Sequence, residues 1–302
     1  MVFETLAIAS GPFLITFRES LEAALIVVIV AAYLNKIGKA ALKRYLYMGT
    51  AAAIILSVFI GILLYVFYGG LTGVAEKLFE GSAAITATAV LTYMIFWMAK
   101  NSHQIKDELH GKIDITITKG NMIGIAVIAF IAVFREGIET VLFLTAVAVQ
   151  QPLATVIGTV TGFGAVFFLA IFMFKEIYGL NLKSIFKYSS VLLLIFAAGL
   201  FGFGVHEYIE AAESYKIDIG FFASSAYDIN PPAHADGSYP LLHEKGAIGS
   251  VFKALVGYDG NPEWLRVFVY LGYWLVIGLY LIKTYNPQTA PRTRIKNIKR
   301  TQ

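Results

Sequence analysis

A chain of 302 residues in which 58% are hydrophobic and only 15% charged is too apolar for an ordinary soluble domain, and its mean hydropathy is +0.70. It has no cysteine, which excludes disulfides and thiolate metal ligation, and its net charge of +4 sits in short loops rather than in a nucleic-acid footprint. The composition predicts one all-α integral membrane domain over 1–302, whose backbone must satisfy its own hydrogen bonds within the bilayer.

Seven apolar runs reach the length of about 20 residues that a spanning helix needs. They lie near 5–34, 45–68, 82–101, 121–149, 153–174, 187–209 and 264–284. The first lacks a basic start, is too long for a signal peptide and contains charged residues, so it is expected to be retained. Gly11 and Pro12 fall inside it and predict a kink or break, since proline removes a backbone donor. Just beyond comes Phe17-Arg18-Glu19-Ser20-Leu21-Glu22-Ala23-Ala24-Leu25, and the fourth run repeats it as Phe134-Arg135-Glu136-Gly137-Ile138-Glu139-Thr140-Val141-Leu142.

Charge at the centre of a membrane helix costs roughly 3 kcal/mol per residue on insertion scales, or about 18 kcal/mol for these two arginines and four glutamates together. Such residues must face one another, water or an ion. At helical pitch Glu19 and Glu22 lie about 60° apart and Arg18 and Glu22 about 40°. Glu136, Glu139 and Arg135 repeat the arrangement. Each helix then offers two carboxylates beside a guanidinium that can orient them. A plain Arg–Glu lock between helices needs neither the second glutamate nor the duplication.

The repetition extends further. Gly49-Thr50 and Gly158-Thr159 open spans two and five, while His103 and His206 end spans three and six, each followed by two acidic residues. Residues 1–110 therefore read as one three-helix repeat and 119–215 as a second. With three spans per repeat, the copies must be inverted, which places a site at the midplane between them. The seventh span, 264–284, is an addition.

Basic residues set the orientation. Lys36, Lys39, Lys43 and Arg44 follow span one; Lys100, Lys106, Lys112 and Lys119 follow span three; Lys175, Lys183 and Lys187 follow span five. The tail at 285–302 adds Arg292, Arg294, Lys296, Lys299 and Arg300, whereas the alternate loops hold Lys77 and little else. The N-terminus is predicted outside and the C-terminus in the cytoplasm of a multi-pass cell-membrane protein. The extracytoplasmic stretch from His206 to Glu263, whose loop is 216–263, holds nine acidic residues against three lysines. His206, Glu210 and Glu213 share a helix face there, where they would capture a cation. Short helices are expected near 218–228 and 246–257.

The two R-E-x-x-E motifs resemble those of the high-affinity iron permease family, which includes fungal permeases working with a ferroxidase and bacterial EfeU-type permeases. Arg18, Glu19 and Glu22 match the first family motif and Arg135, Glu136 and Glu139 the second, without departure. The resemblance implies a permease rather than an enzyme, importing ferrous or ferric iron as cargo with no prosthetic group. It also implies an extracytoplasmic ferroxidase or iron-binding protein as partner. On this reading Glu19, Glu22, Glu136 and Glu139 are the metal ligands, with Arg18 and Arg135 as supporting ion pairs. Taken alone, an all-carboxylate site suits iron, manganese or magnesium, and permeases for lead use similar motifs. A membrane-embedded di-metal enzyme would want histidine near the carboxylates, and the spans' cores have none. A proton-coupled carrier of an organic cation is the remaining alternative.

Overall fold

The computed structural model describes residues 8–101, 105–118, 122–149, 151–174, 182–234 and 238–285. These form helices α1 (Ser10–Lys36), α2 (Lys43–Gly69), α3 (Val74–Asn101), α4 (Ile105–Thr118), α5 (Met122–Ala148), α6 (Pro152–Phe174), α7 (Leu182–Ser214), α8 (Ala247–Val256) and α9 (Trp264–Tyr285). No strand occurs among the described residues; Ser225 and Glu263 make an isolated bridge. His103, Lys119, Lys175 and the basic tail beyond Tyr285 lie outside the described residues.

Four segments are long and apolar enough to cross a membrane: Ala40–Gly69, Val74–Met98, Pro152–Ile171 and Ser184–Ser214. Helices α1 and α5, at 27 residues each, are about 40 Å long and match that span, but each carries an arginine and two glutamates at its middle. Burial along the helices follows the same logic. In α2 only Leu46, Gly49, Ala53 and Ser57 are buried, one stripe at helical period, while Ile55, Tyr65 and Val66 stand well exposed. An apolar exposed face of that size belongs against lipid rather than water. In α5 the buried stripe runs Ile125, Ala129, Val133, Glu136, Thr140 and Phe143. A glutamate thus occupies a core position.

The packing is reciprocal. Helix α2 lies along α5 as α6 lies along α1, α3 pairs with α7, and α1 crosses α5. Gly49 and Gly158 hold the same place, seventh in α2 and in α6. A β-carbon on Gly49 would overlap the carbonyl oxygen of Ala126, and one on Gly158 that of Ala9. Ala9 precedes Glu19 by the same interval as Ala126 precedes Glu136. Between α3 and α7, Gly81 and Gly204 approach each other's carbonyl oxygens in the same manner. Close backbone contact of this kind lets helices associate in lipid.

The spans expected from sequence differ in places. Helix α3 begins at Val74, not near 82, and α7 runs on to Ser214, so His206 lies within it rather than at its end. The stretch between spans three and four contains α4, which was expected as loop. The interruption expected within the first span sits at its start, since Pro12 falls in the first turn of α1, where a missing N–H breaks no intrahelical bond. The expected short helices appear as a 3₁₀ turn at Gly220–Ala223 and as α8. Helix α8 ends on Gly257 at φ 74°, a left-handed cap open to glycine, and packs there against Gly199 of α7.

Candidate functional site

One apolar cluster joins α1, α3, α5, α7 and α9 around Ile15, Leu91, Phe143, Leu193 and Tyr273. A second gathers Leu34, Leu46, Ile113 and Ile125 toward the opposite end. The charged motifs lie between the two, with Ile15 and Val30 on either side along α1 and Phe143 and Ala129 along α5.

Helix α1 positions Arg18, Glu19 and Glu22, all buried. Arg18 Nη1 donates to Glu19 Oε1 at 2.7 Å, and Nη2 stands 2.9 Å from Glu22 Oε1. That second contact is an ion pair without hydrogen-bond angle, for Glu22 Oε1 accepts no hydrogen bond. Arg18 Nη1 also lies 3.1 Å from the sulfur of Met94 on α3. On α5, Arg135 Nε donates to Glu139 Oε1 at 2.9 Å and stays 3.9 Å from Glu136 Oε1. Its guanidinium lies over the Trp97 ring of α3, 4.8 Å from the centroid.

Glu19, Glu22 and Glu136 each present an oxygen within 4.8 Å of the others. Glu139 stands beside this triad, held by Arg135. Buried Glu19 Oε2, Glu136 Oε2 and Glu139 Oε2 have no hydrogen-bond partner among the described residues. Buried carboxylate oxygens without donors are expensive unless a cation takes them. All-oxygen donors suit a hard or borderline cation. The full set of four carboxylates and two guanidiniums keeps two negative charges when ionised. Met94 and Trp97 were not singled out from sequence; a methionine and a tryptophan in an apolar run give no signal that they face arginines.

At the other site expected from sequence, His206 Nδ1 lies 2.7 Å from Glu263 Oε1 and Nε2 lies 3.2 Å from Glu210 Oε1. Glu210 also pairs with Lys77 of α3. Glu213 is exposed, and no hydrogen bond or ion pair joins it to the other two among the described residues.

Carboxylates converging inside an apolar helical bundle mark a place for a cation within a membrane protein. The sequence pattern of the iron permease FTR1 family matches residues 9–284, and the chain belongs to that family. An uncharacterized protein of Archaeoglobus fulgidus is 40% identical over 263 residues, 87% of this chain and 91% of the relative. The ferrous iron permease EfeU of Yersinia pestis is 34% identical over 266 residues, 87% of this chain and 89% of its own length. EfeU of an Escherichia coli strain is 32% identical, with 87% and 91% covered. No solved structure matches the chain.

Proposed function

We propose that this protein imports iron through a midplane site formed by Glu19, Glu22, Glu136 and Glu139. The observation that supports it is the convergence of three carboxylates from α1 and α5 within 4.8 Å, with donor-free oxygens on Glu19 and Glu136. An entering ion exchanges hydration waters for these oxygens, while Arg18 and Arg135 hold the carboxylates in place without neutralising all of them. The relatives named ferrous iron permease favour the ferrous ion as cargo. An extracytoplasmic ferroxidase or iron-binding protein as supplier is part of the same proposal.

The proposed frame is seven spans, α1, α2, α3, α5, α6, α7 and α9, with α1–α3 and α5–α7 as inverted repeats. The reciprocal packing at Gly49 and Gly158 supports it. In this frame the N-terminus lies outside and the C-terminus in the cytoplasm, with His206, Glu210 and Glu213 as the capture face. A cysteine introduced at Ser224 should react with an impermeant thiol reagent on intact cells, and one at Thr293 should not. The opposite pattern overturns the orientation.

Liposomes holding only this protein test the function. Radiolabelled ferrous iron should enter them faster than ferric iron or manganese, and Glu22→Gln should stop it at equal protein content. Normal uptake by Glu22→Gln refutes the ligand assignment.

A further inference from the structure

A cavity of about 340 Å³ lies at the His206 end of the bundle, lined by Pro12, Glu80, Phe196, His206, Glu207 and Arg266 among others. Glu207 of α7 is 7% exposed and lines this cavity, yet among the described residues it makes no hydrogen bond or ion pair. Among the described residues, the cations nearest to it have other acids as their ion-pair partners. Lys77 pairs with Glu210, Arg266 with Asp259, and His206 sits between Glu263 and Glu210. Lys253 stands 3.7 Å from Glu244. A second carboxylate, Glu80 of α3, lines the same cavity and accepts a hydrogen bond from Tyr68 at 2.6 Å, leaving acceptor capacity free.

We propose that Glu207 and Glu80 form a second cation site in this vestibule, which takes a hydrated hard divalent cation. A carboxylate buried without a partner is costly, and here the protein's own cations are committed to other acids. An ion with six waters occupies roughly 200 Å³ at about 30 Å³ per water, so the cavity admits it with its hydration shell largely intact. The site is separate from the central one. Seven residues of α1, about 10 Å, part Pro12 at the cavity from Glu19, and Ile15 and Phe143 are fully buried in between. It adjoins the face of His206, Glu210 and Glu213, whose His206 lines the same cavity, but its carboxylates are different ones, Glu207 and Glu80. Ions gathered at the rim would wait here, hydrated, before the apolar layer opens. The proposal stands whether or not the central glutamates are the transport ligands.

The test is binding of Mn(II), an air-stable hard divalent ion, to the purified full-length protein, followed by loss of the free-ion EPR signal. The parent should show two separable sites. The variant with Gln at 19, 22, 136 and 139 should keep one, and adding Glu80→Gln and Glu207→Gln should weaken that one at least tenfold. In the parent background, Glu80→Gln with Glu207→Gln should likewise remove one site and leave the other. Unchanged binding after both vestibule substitutions in the parent overturns the proposal, as does complete loss of binding in the four-Gln variant. A four-Gln variant that binds as the parent does instead counts against the central site.

Discussion

Arg18 is 1% exposed and lies against both glutamates of its own motif, whereas Arg135, with 41% of its side chain exposed, donates to Glu139 alone and leans on Trp97. The residues are the same at every charged position; the surroundings are not. Helix α3 touches both arginines within one turn, Met94 at Arg18 and Trp97 at Arg135. Both motif helices are packed on several sides, but the Arg18 side chain is fully enclosed and pairs within its own motif. In the second motif the arginine is exposed while Glu136 and Glu139 stay largely buried. Duplicated sequence therefore gives one closed half-site, whose arginine is enclosed and lies against both carboxylates, and one open half-site, whose arginine is exposed and donates to one.

The largest expected effect separates the triad from its neighbour. Glu19→Gln, Glu22→Gln and Glu136→Gln should each lower liposome iron uptake by roughly 100-fold, about 2.7 kcal/mol in the transport barrier. Glu139→Gln should lower it by about tenfold, since Glu139 lies outside the 4.8 Å cluster. Equal losses at Glu136 and Glu139 would erase the distinction. The arginines sharpen it next. A lysine cannot bridge two carboxylates as the guanidinium fork does, so Arg18→Lys should cost about tenfold in uptake and Arg135→Lys only about threefold. Arg18→Ala, which leaves two buried carboxylates unpaired, should also destabilise the protein by roughly 3 kcal/mol, read as a lower melting temperature in detergent.

A third arginine pair, outside the bundle's middle, gives a control. Arg266 binds Asp259, and both are largely buried. Burial pushes the Asp259 carboxyl up, but Arg266 beside it and the Asn261 N–H outweigh this and hold it below the usual range. Glu263 is likewise raised by burial and lowered more by His206. Folded values below unfolded ones mean the carboxylates' share is present above about pH 4 and lost as pH falls through the folded values. His206, hydrogen-bonded to Glu263, contributes in full below about pH 6.5 and loses this only as pH rises through its folded value. Limited proteolysis of the 215–263 loop should therefore be slow at pH 7 and at pH 5 and rise below about pH 4. Asp259→Asn should raise it already at pH 7. A loop equally resistant at all three would show that these pairs do not anchor it.

The motifs were legible in the sequence because charge inside an apolar run has few explanations, and the helical class followed from composition. The start of α3 was not legible. Glu76, Lys77 and Glu80 resemble loop residues until Lys77 meets Glu210 of α7 and Glu80 meets Tyr68 of α2, which lets the helix begin at Val74. Helix α4 is too polar to give a span signal, yet Leu109 and Ile113 bury against α1, α2 and α5. The inequality of the two half-sites lay beyond sequence too. It depends on which face of α3 meets each arginine, a tertiary fact with no local signal.

The smallest expected effect tests that last point. Trp97 faces Arg135 with its ring, at 4.8 Å, and its side chain makes no hydrogen bond to a carboxylate among the described residues. A cation–π contact of this exposure contributes roughly 0.5–1 kcal/mol. Trp97→Ala should release Arg135 toward Glu136 as well as Glu139, neutralising part of the open half-site. The iron concentration for half-maximal uptake should then rise about two- to fivefold, with maximal rate little changed. Trp97→Phe keeps a weaker ring face and should fall between the two. Charge separates this from loss of packing: in an Arg135→Gln background, Trp97→Ala should have almost no further effect on that concentration, because the cation the ring restrains is gone. A full Trp97→Ala effect in that background would make the ring a packing element and leave the asymmetry of the motifs to α1 alone.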